Sequence, residues 1–428
     1  MASTSNTFMA NFSICDDLQK PSGPILTGVG FLDHMIDQFN SHAQIGTSMT
    51  ITDTADAVGD VNVRNRHADH DQGKLMTLVG SSLGLEFKRV LEQSPNTGTT
   101  SRFCCPLDEA LVVCTMKRAP GKGELTSYTL PPFGKYPAAG RKHLGTMEID
   151  KLENFWQSLA ESADLEITLH KVRGDNAHHI VESSFKAASR ALRNLLDGTD
   201  TETSKEHARV DEMYGPNSDN WKEGVAQGRQ GSITRKTKET YISATAKFDG
   251  GATGVHVETG IQVLNKFLVT MATNAAVSLT VECKGDLWID EHHTSEDVSI
   301  AVGQVLNIAF GTKAGINRMW CAVAEVGGSK VEVTMDVSNR PCLTHNLTLD
   351  NGEEKVGDLS MEMLEHVLNS LVENAHMTVH IVQLEPNSNV QETVDALAIA
   401  FGQALKYCSM IDCRRSGATA SSKGTLSV

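Results

Sequence analysis

His178-His179-Ile180-Val181-Glu182 and His292-His293-Thr294-Ser295-Glu296 are two copies of one metal-ligand pattern, set in opposite halves of a 428-residue chain. On a helix, each His-His-x-x-Glu places a histidine and the glutamate one turn apart on one face. The adjacent histidine points about 100° away. One such cluster can therefore serve two metal ions, or a metal and a substrate.

Outward from these clusters, the chain repeats itself at about half its length. Residues 27–34 (TGVGFLDH) recur as 259–266 (TGIQVLNK), and 59–71 (GDVNVRNRHADHD) align with 285–297 (GDLWIDEHHTSED). Residues 152–159 (LENFWQSL) align with 364–371 (LEHVLNSL), each followed by a strand that ends in a histidine, His170 or His380. Matches in the same order mean a duplication. The expected organisation is a first domain over 1–196, a polar linker over 197–230 rich in Asp, Glu, Thr, Ser and Gly, and a second domain over 231–428. Leu152, Phe155, Trp156 and Leu159 form an apolar helical stripe, as do Val298, Val302, Val305 and Ala309. Val331, Val333, Met335 and Val337 alternate as a half-buried strand, as do Met377, Val379 and Ile381. Strands mixed with helices predict an α+β fold, with sheets covered by helices on one face.

Composition narrows the function. A formal net charge of −15 argues against nucleic acid or an anionic membrane surface as partner. No apolar run approaches membrane-span length. The nine cysteines are an odd count without regular spacing, which reads as reduced thiols rather than a disulfide framework. The first residues lack a basic region and an apolar core of signal-peptide length, which points to the cytoplasm. A Ser/Thr-rich, arginine-free start leaves an organelle transit peptide open. Gly28-x-Gly30 lacks the third glycine of a dinucleotide fingerprint.

TGVGFLDHMIDQF, IDEHHTSED, CPLDEALV, AHHIVESSFKA and RRSGATASSKG together resemble the imidazoleglycerol-phosphate dehydratase family of histidine biosynthesis, twice over and across nearly the whole chain. The resemblance implies two tandem domains, each of two half-repeats with a sheet covered by helices. It also implies large symmetric homo-oligomers with dimanganese sites formed between neighbouring subunits. The implied reaction removes water from imidazole glycerol phosphate to give imidazole acetol phosphate, a small phosphate-bearing substrate. Mixed histidine and carboxylate ligands suit Mn²⁺ better than a four-coordinate structural zinc. The expected ligands are His34, His170, His178, His179, Glu182, His292, His293, Glu296 and His380. Glu239 and Lys186 become acid–base partners with Asp108 nearby, and Arg318, Arg340, Ser422 and Lys423 a phosphate clamp.

Each copy departs from the family pattern, and differently. The first has Arg66, His67 and His70 where the second has His292, His293 and Glu296, and it lacks the Arg-x-Thr-x-Glu-Thr opening and the basic tail. The second has Asn265-Lys266 where the first has Asp33-His34, Gly327-Gly328 for Asp108-Glu109, Gln391, Glu392 and Asp395 for His178, His179 and Glu182, and Ile399 for Lys186. Arg66 and Lys266 add positive charge where cations would sit. Together the copies hold one full ligand set, which predicts a composite site served by both and about two Mn²⁺ per chain. The rival expectations are a catalytically inactive homologue acting as a structural or regulatory subunit, and a related carbon–oxygen lyase on another substrate. Lone histidines (His42, His143, His207, His256, His345, His366 and His376) read as ordinary core or surface residues. His67 and His70 read as remnants in a solvated loop.

Overall fold

The structure, a computed structural model, describes residues 8–15, 23–53, 65–94, 97–198, 228–249, 252–350, 352–387, 389–415, 417–421 and 424–426. The chain divides into two compact units, Met1–Val210 and Asp211–Val428. Most of the expected linker, 199–227, lies outside the described residues.

The first unit runs β1 (Phe8–Cys15), β2 (Ile25–Leu26), α1 (Gly30–Gln38), β3 (Gly46–Asp53), α2 (Gln72–Gln93), β4 (Thr100–Leu107), β5 (Ala110–Arg118), β6 (Glu124–Thr129), α3 (Leu152–Ala163), β7 (Leu165–Arg173) and α4 (Ala177–Asp197). The second runs β8 (Gln230–Lys236), β9 (Thr240–Lys247), β10 (His256–Glu258), α5 (Gln262–Asn274), β11 (Ser278–Gly285), α6 (His292–Phe310), β12 (Met319–Val326), β13 (Ser329–Asp336), β14 (Cys342–His345), α7 (Met361–Asn374), β15 (Thr378–Glu385) and α8 (Val390–Ser409).

One half-repeat recurs. An antiparallel hairpin is followed by a third strand, a helix and a fourth strand that lies parallel to the third; a second helix then closes the unit. The sheet orders are β4-β5-β7-β6, β8-β9-β11-β10 and β12-β13-β15-β14, with β1-β3-β2 as the described part of the remaining half. The parallel pair needs a crossover, and the helix between its strands supplies it. The fold is α+β, as the alternating patterns require.

Strand alternation puts Val331, Val333 and Met335 inside, all fully buried. The helices of the two halves pack on each other: α2 on α3 in the first unit, and in the second α6 on α7 and α5 on α8. Glycine makes these approaches close. A Cβ on Gly80 of α2 would stand 2.3 Å from the Phe155 carbonyl of α3, and one on Gly303 of α6 would stand 2.7 Å from the Leu371 carbonyl of α7. Such interlocking matters for chemistry, because it brings a helix of one half beside the ligand-bearing helix of the other. Behind His178, His179 and Glu182 of α4, Phe185 packs against Trp156 and Phe155 of α3, with centroids 4.8 and 5.2 Å apart. That packing fixes the helix's rotation and so the direction of its histidines.

Candidate metal centre and phosphate pocket

In the first unit, α4 starts at the N-cap Asn176, whose side chain accepts from the His178 amide at 2.9 Å. His178 and Glu182 lie one turn apart, with Nε2 2.9 Å from Oε2. The α1 helix brings His34 to 3.9 Å from the same carboxylate. His34, His178 and Glu182 each offer a ligand atom, all within 4.8 Å of one another. Lys186 is buried and reaches the other Glu182 oxygen at 2.8 Å. Burial opposes the Glu182 charge, but the His178 hydrogen bond and the Lys186 ammonium outweigh it and hold the carboxyl well below its usual range. Burial is also the largest influence on His34 and lowers its pKa, which keeps the ring neutral and ready to ligate.

The adjacent histidine turns elsewhere, as helix geometry demands. His179 Nδ1 meets Glu109 Oε2 at 2.7 Å, leaving Nε2 facing Asp108 at 3.7 Å. Both acids occupy the two-residue turn between β4 and β5, where Asp108 has φ +50.

The second unit builds the same arrangement from its first half. His292 Nε2 lies 3.9 Å from Glu296, and His366 of α7 lies 3.1 Å from the other oxygen of that carboxylate. His292, Glu296 and His366 form the second group of potential ligands within 4.8 Å. His293 turns away, its Nδ1 3.0 Å from the buried Asp286 and its Nε2 3.8 Å from Glu239. The hydrogen bond to Asp286, aided by Glu239, raises the His293 pKa. Glu239 is held by its own motif: Arg235 and Thr240 both bond Asp297 of α6, at 2.5 and 2.6 Å, and pin the turn that presents it. A carboxylate on one ring nitrogen, with the other left outward, is the usual support of a metal-bound histidine.

Three residues of this constellation escaped the sequence reading. They are His366, whose lone position in the sequence suggests an ordinary histidine, and Asp286 and Glu109, whose contacts with His293 and His179 no local pattern announces. His366 had a signal: Glu365-His366 stands in its half-repeat as Asp33-His34 does in the other. Conversely, neither expected ligand on the strands joins a cluster. His170 is exposed with Nδ1 2.7 Å from the Thr129 hydroxyl, and His380 is fully buried.

The degenerate positions are filled by other contacts. Lys266, in the place of His34, bonds Asp395 at 2.7 Å, and Gln391 bonds the other Asp395 oxygen at 2.9 Å. An ammonium thus neutralises the carboxylate where Glu182 would meet a cation. Glu392, in the place of His179, is held by Asn387 and Asn389. A Cβ on Gly327 would lie 2.2 Å from its carboxyl, so an aspartate in this turn would require the Glu392 side chain to move aside. His67 corrects the solvated-loop expectation: it is fully buried, with Nδ1 2.8 Å from the Thr27 carbonyl, and its ring stacks with Phe8 and His70. His70 lies 3.8 Å from the buried Asp53. Arg66 bonds the Ile51 carbonyl.

The phosphate-clamp residues divide differently. Arg318 is buried and bidentate to Asp336 at 2.7 and 2.8 Å, and its third nitrogen donates to the Ala420 carbonyl of the tail. It is therefore a strut for the tail as well as a cation. The Arg340 backbone is pinned by Ser338 and Thr378, at 2.9 and 2.8 Å from its carbonyl. Ser422 and Lys423 lie outside the described residues.

Near Arg318 and Asp336 sits Lys313, whose pKa burial pushes down to about 8. Its folded pKa is below the free value, so the folded state binds fewer protons than the unfolded chain between the two. The penalty is full below pH 8, about 3 kcal/mol, and fades as pH rises toward 10.5. Lys313→Met is accordingly expected to unfold at a higher temperature than the parent at pH 7, with the gap closing by pH 10 in calorimetric scans.

The family model for imidazoleglycerol-phosphate dehydratase matches residues 27–192 and again 259–405. The chain is 38% identical over 204 residues to imidazoleglycerol-phosphate dehydratase 1, chloroplastic, of Arabidopsis thaliana, covering 47% of this chain and 74% of the relative. It is 38% identical over 202 residues to the imidazoleglycerol-phosphate dehydratase of Microcystis aeruginosa, covering 47% of this chain and 95% of that protein. The crystal structure of the Staphylococcus aureus enzyme is similar at 26% identity and a TM-score of 0.38, over 43% of this chain and 99% of that one. Among the described residues no helix is long and apolar enough to cross a membrane. Matched twice along its length, the chain belongs to the imidazoleglycerol-phosphate dehydratase family of enzymes.

Proposed function

We propose that the protein dehydrates imidazole glycerol phosphate, using one ligand cluster from each unit in a composite site. The observation that carries this is complementarity: among the described residues, His34, His178 and Glu182 in one unit, and His292, Glu296 and His366 in the other, are the two groups of mixed imidazole and carboxylate donors. Their chemistry fits a divalent cation that accepts nitrogen and oxygen, such as Mn²⁺. Such cations, when bound, supply the positive charge that lets an imidazole ring carry electron density during loss of the hydroxyl group.

The chain's own residues do the rest. Glu239, exposed beside His293, accepts the proton from carbon. Lys186 is the acid partner for the departing hydroxyl. Its bond to Glu182 also keeps that ligand ionised. Asp108 and Glu109 orient His179 on one side as Asp286 orients His293 on the other. Arg318 and Arg340 hold the phosphate end with the tail. The protein works as a large homo-oligomer in the cytoplasm, where pooled clusters give half the sites of a fully intact tandem pair.

The decisive experiment strips the purified protein of metal and restores Mn²⁺. Dehydration should vanish and return, with about two ions per chain. A structural or regulatory subunit, the reading favoured by the ion-paired Lys266–Asp395 site, would bind little metal and turn over nothing. His366→Ala should weaken metal retention by at least about tenfold, while His380→Ala leaves the metal content as it was. Equal metal loss in both variants would remove His366 from the ligand set.

A further inference from the structure

The tail of the second unit is gripped by the loop that ends in Arg318. Gly315 donates to the Ala418 carbonyl at 3.0 Å and accepts from the Asp412 amide at 2.8 Å, and Arg318 reaches the Ala420 carbonyl. A separate hold lies farther along, where the Asn339 side-chain amide donates to the Leu426 carbonyl at 2.6 Å. The Lys313 ammonium donates to the Asn339 side-chain oxygen. Lys313 is 2% exposed, and among the described residues no carboxylate lies within 4 Å of its nitrogen. The nearby Asp336 is already taken by Arg318. A core that needed only filling would hold a methionine there, since an unpaired buried cation is costly. This one donates to an amide whose other end holds the tail, and also to the His376 carbonyl at 3.5 Å, with its nitrogen 5.7 Å from the centre of the Phe310 ring. Asn339 itself has φ +61, a left-handed conformation that asparagine tolerates well.

We propose that Lys313 and Asn339 are the second anchor of the C-terminal tail, and that Lys313 is thereby a positioning residue for the phosphate end of the substrate. The inference rests on the dehydratase reading for the identity of the ligand, a phosphate monoester. The anchor itself rests on the geometry. The cation fixes the orientation of the Asn339 amide, the amide fixes Leu426, and Leu426 with Ala420 brackets the tail at two points.

Two variants of the full chain test it. Lys313→Met removes the buried charge and leaves Asn339 without its guide. Asn339→Asp strengthens the pairing with Lys313 but cannot donate to Leu426. Both should fold at least as stably as the parent, yet raise KM about tenfold with kcat within about threefold. Thermal protection by inorganic phosphate should fall by at least half in each. A merely structural lysine would alter the melting temperature and leave KM and phosphate protection unchanged, and that result overturns the inference. If the parent turns over no substrate, the dehydratase reading fails, and phosphate protection alone then decides. Protection present in the parent and lost in both variants upholds the anchor. Equal protection in all three, or none in any, rejects it.

Discussion

His178→Ala and His292→Ala should each lower dehydration by on the order of 10³-fold, and each should lower the metal content from about two ions per chain to about one. The expectation is unusual, because the two residues sit in different copies of a duplicated protein. In an ordinary tandem pair, inactivating one copy leaves the other half of the activity. Here each cluster has lost its partner within its own unit: Lys266 and Asp395 neutralise one another where the second unit would match His34 and Glu182, and buried His67 stands where the first would match His293. On the composite-site proposal neither unit holds a reserve site, so either deletion is complete and the double variant should be no worse than the single ones. Half-activity in either single variant, with one metal retained, would mean that each unit carries its own working site. Steady-state rates and metal analysis on the same preparations separate these outcomes.

The reach of the sequence follows from how many residues a feature needs. The His-His-x-x-Glu clusters were legible because two or three ligands share one helix, and the helical period alone fixes their faces. Glu239 was legible through its motif, although the reason for that motif, Arg235 and Thr240 both gripping Asp297, required the structure. His366 was not legible as a neighbour of His292 and Glu296 because these come from α6, about seventy residues earlier, and adjacency of helices from opposite half-repeats is a tertiary fact. Matching half-repeats instead of whole copies would have paired His366 with His34. His170 and His380 lie at corresponding places within β7 and β15. Period-two alternation gives a face but not what covers it, and one proved exposed and the other fully buried. The α+β architecture was the easiest part. Its alternating strands and striped helices occur in every half-repeat, so one weak segment could not change the outcome.

Arg318→Ala is expected to destabilise the second unit by about 3–5 kcal/mol, which for a unit of this size lowers the melting temperature by roughly 6–20 °C. The guanidinium is 3% exposed and its partner Asp336 is fully buried, and the two make both hydrogen bonds of a bidentate pair. Removing the arginine strands a carboxylate in the core, with the buried Lys313 close enough to interact with it. That lysine limits the damage. With the arginine gone, Asp336 attracts the ammonium, and the Lys313 pKa should climb from about 8 toward its free value. The double variant Arg318→Ala/Asp336→Ala removes both charges, and should recover part of the lost stability because the pair's burial was itself costly. Neither variant should recover activity, since the Ala420 carbonyl loses its donor in both and the tail loses its first anchor. Stability and turnover would then part company at one residue. That separation is what identifies Arg318 as more than a structural ion pair: a purely structural arginine would have its activity restored along with its fold.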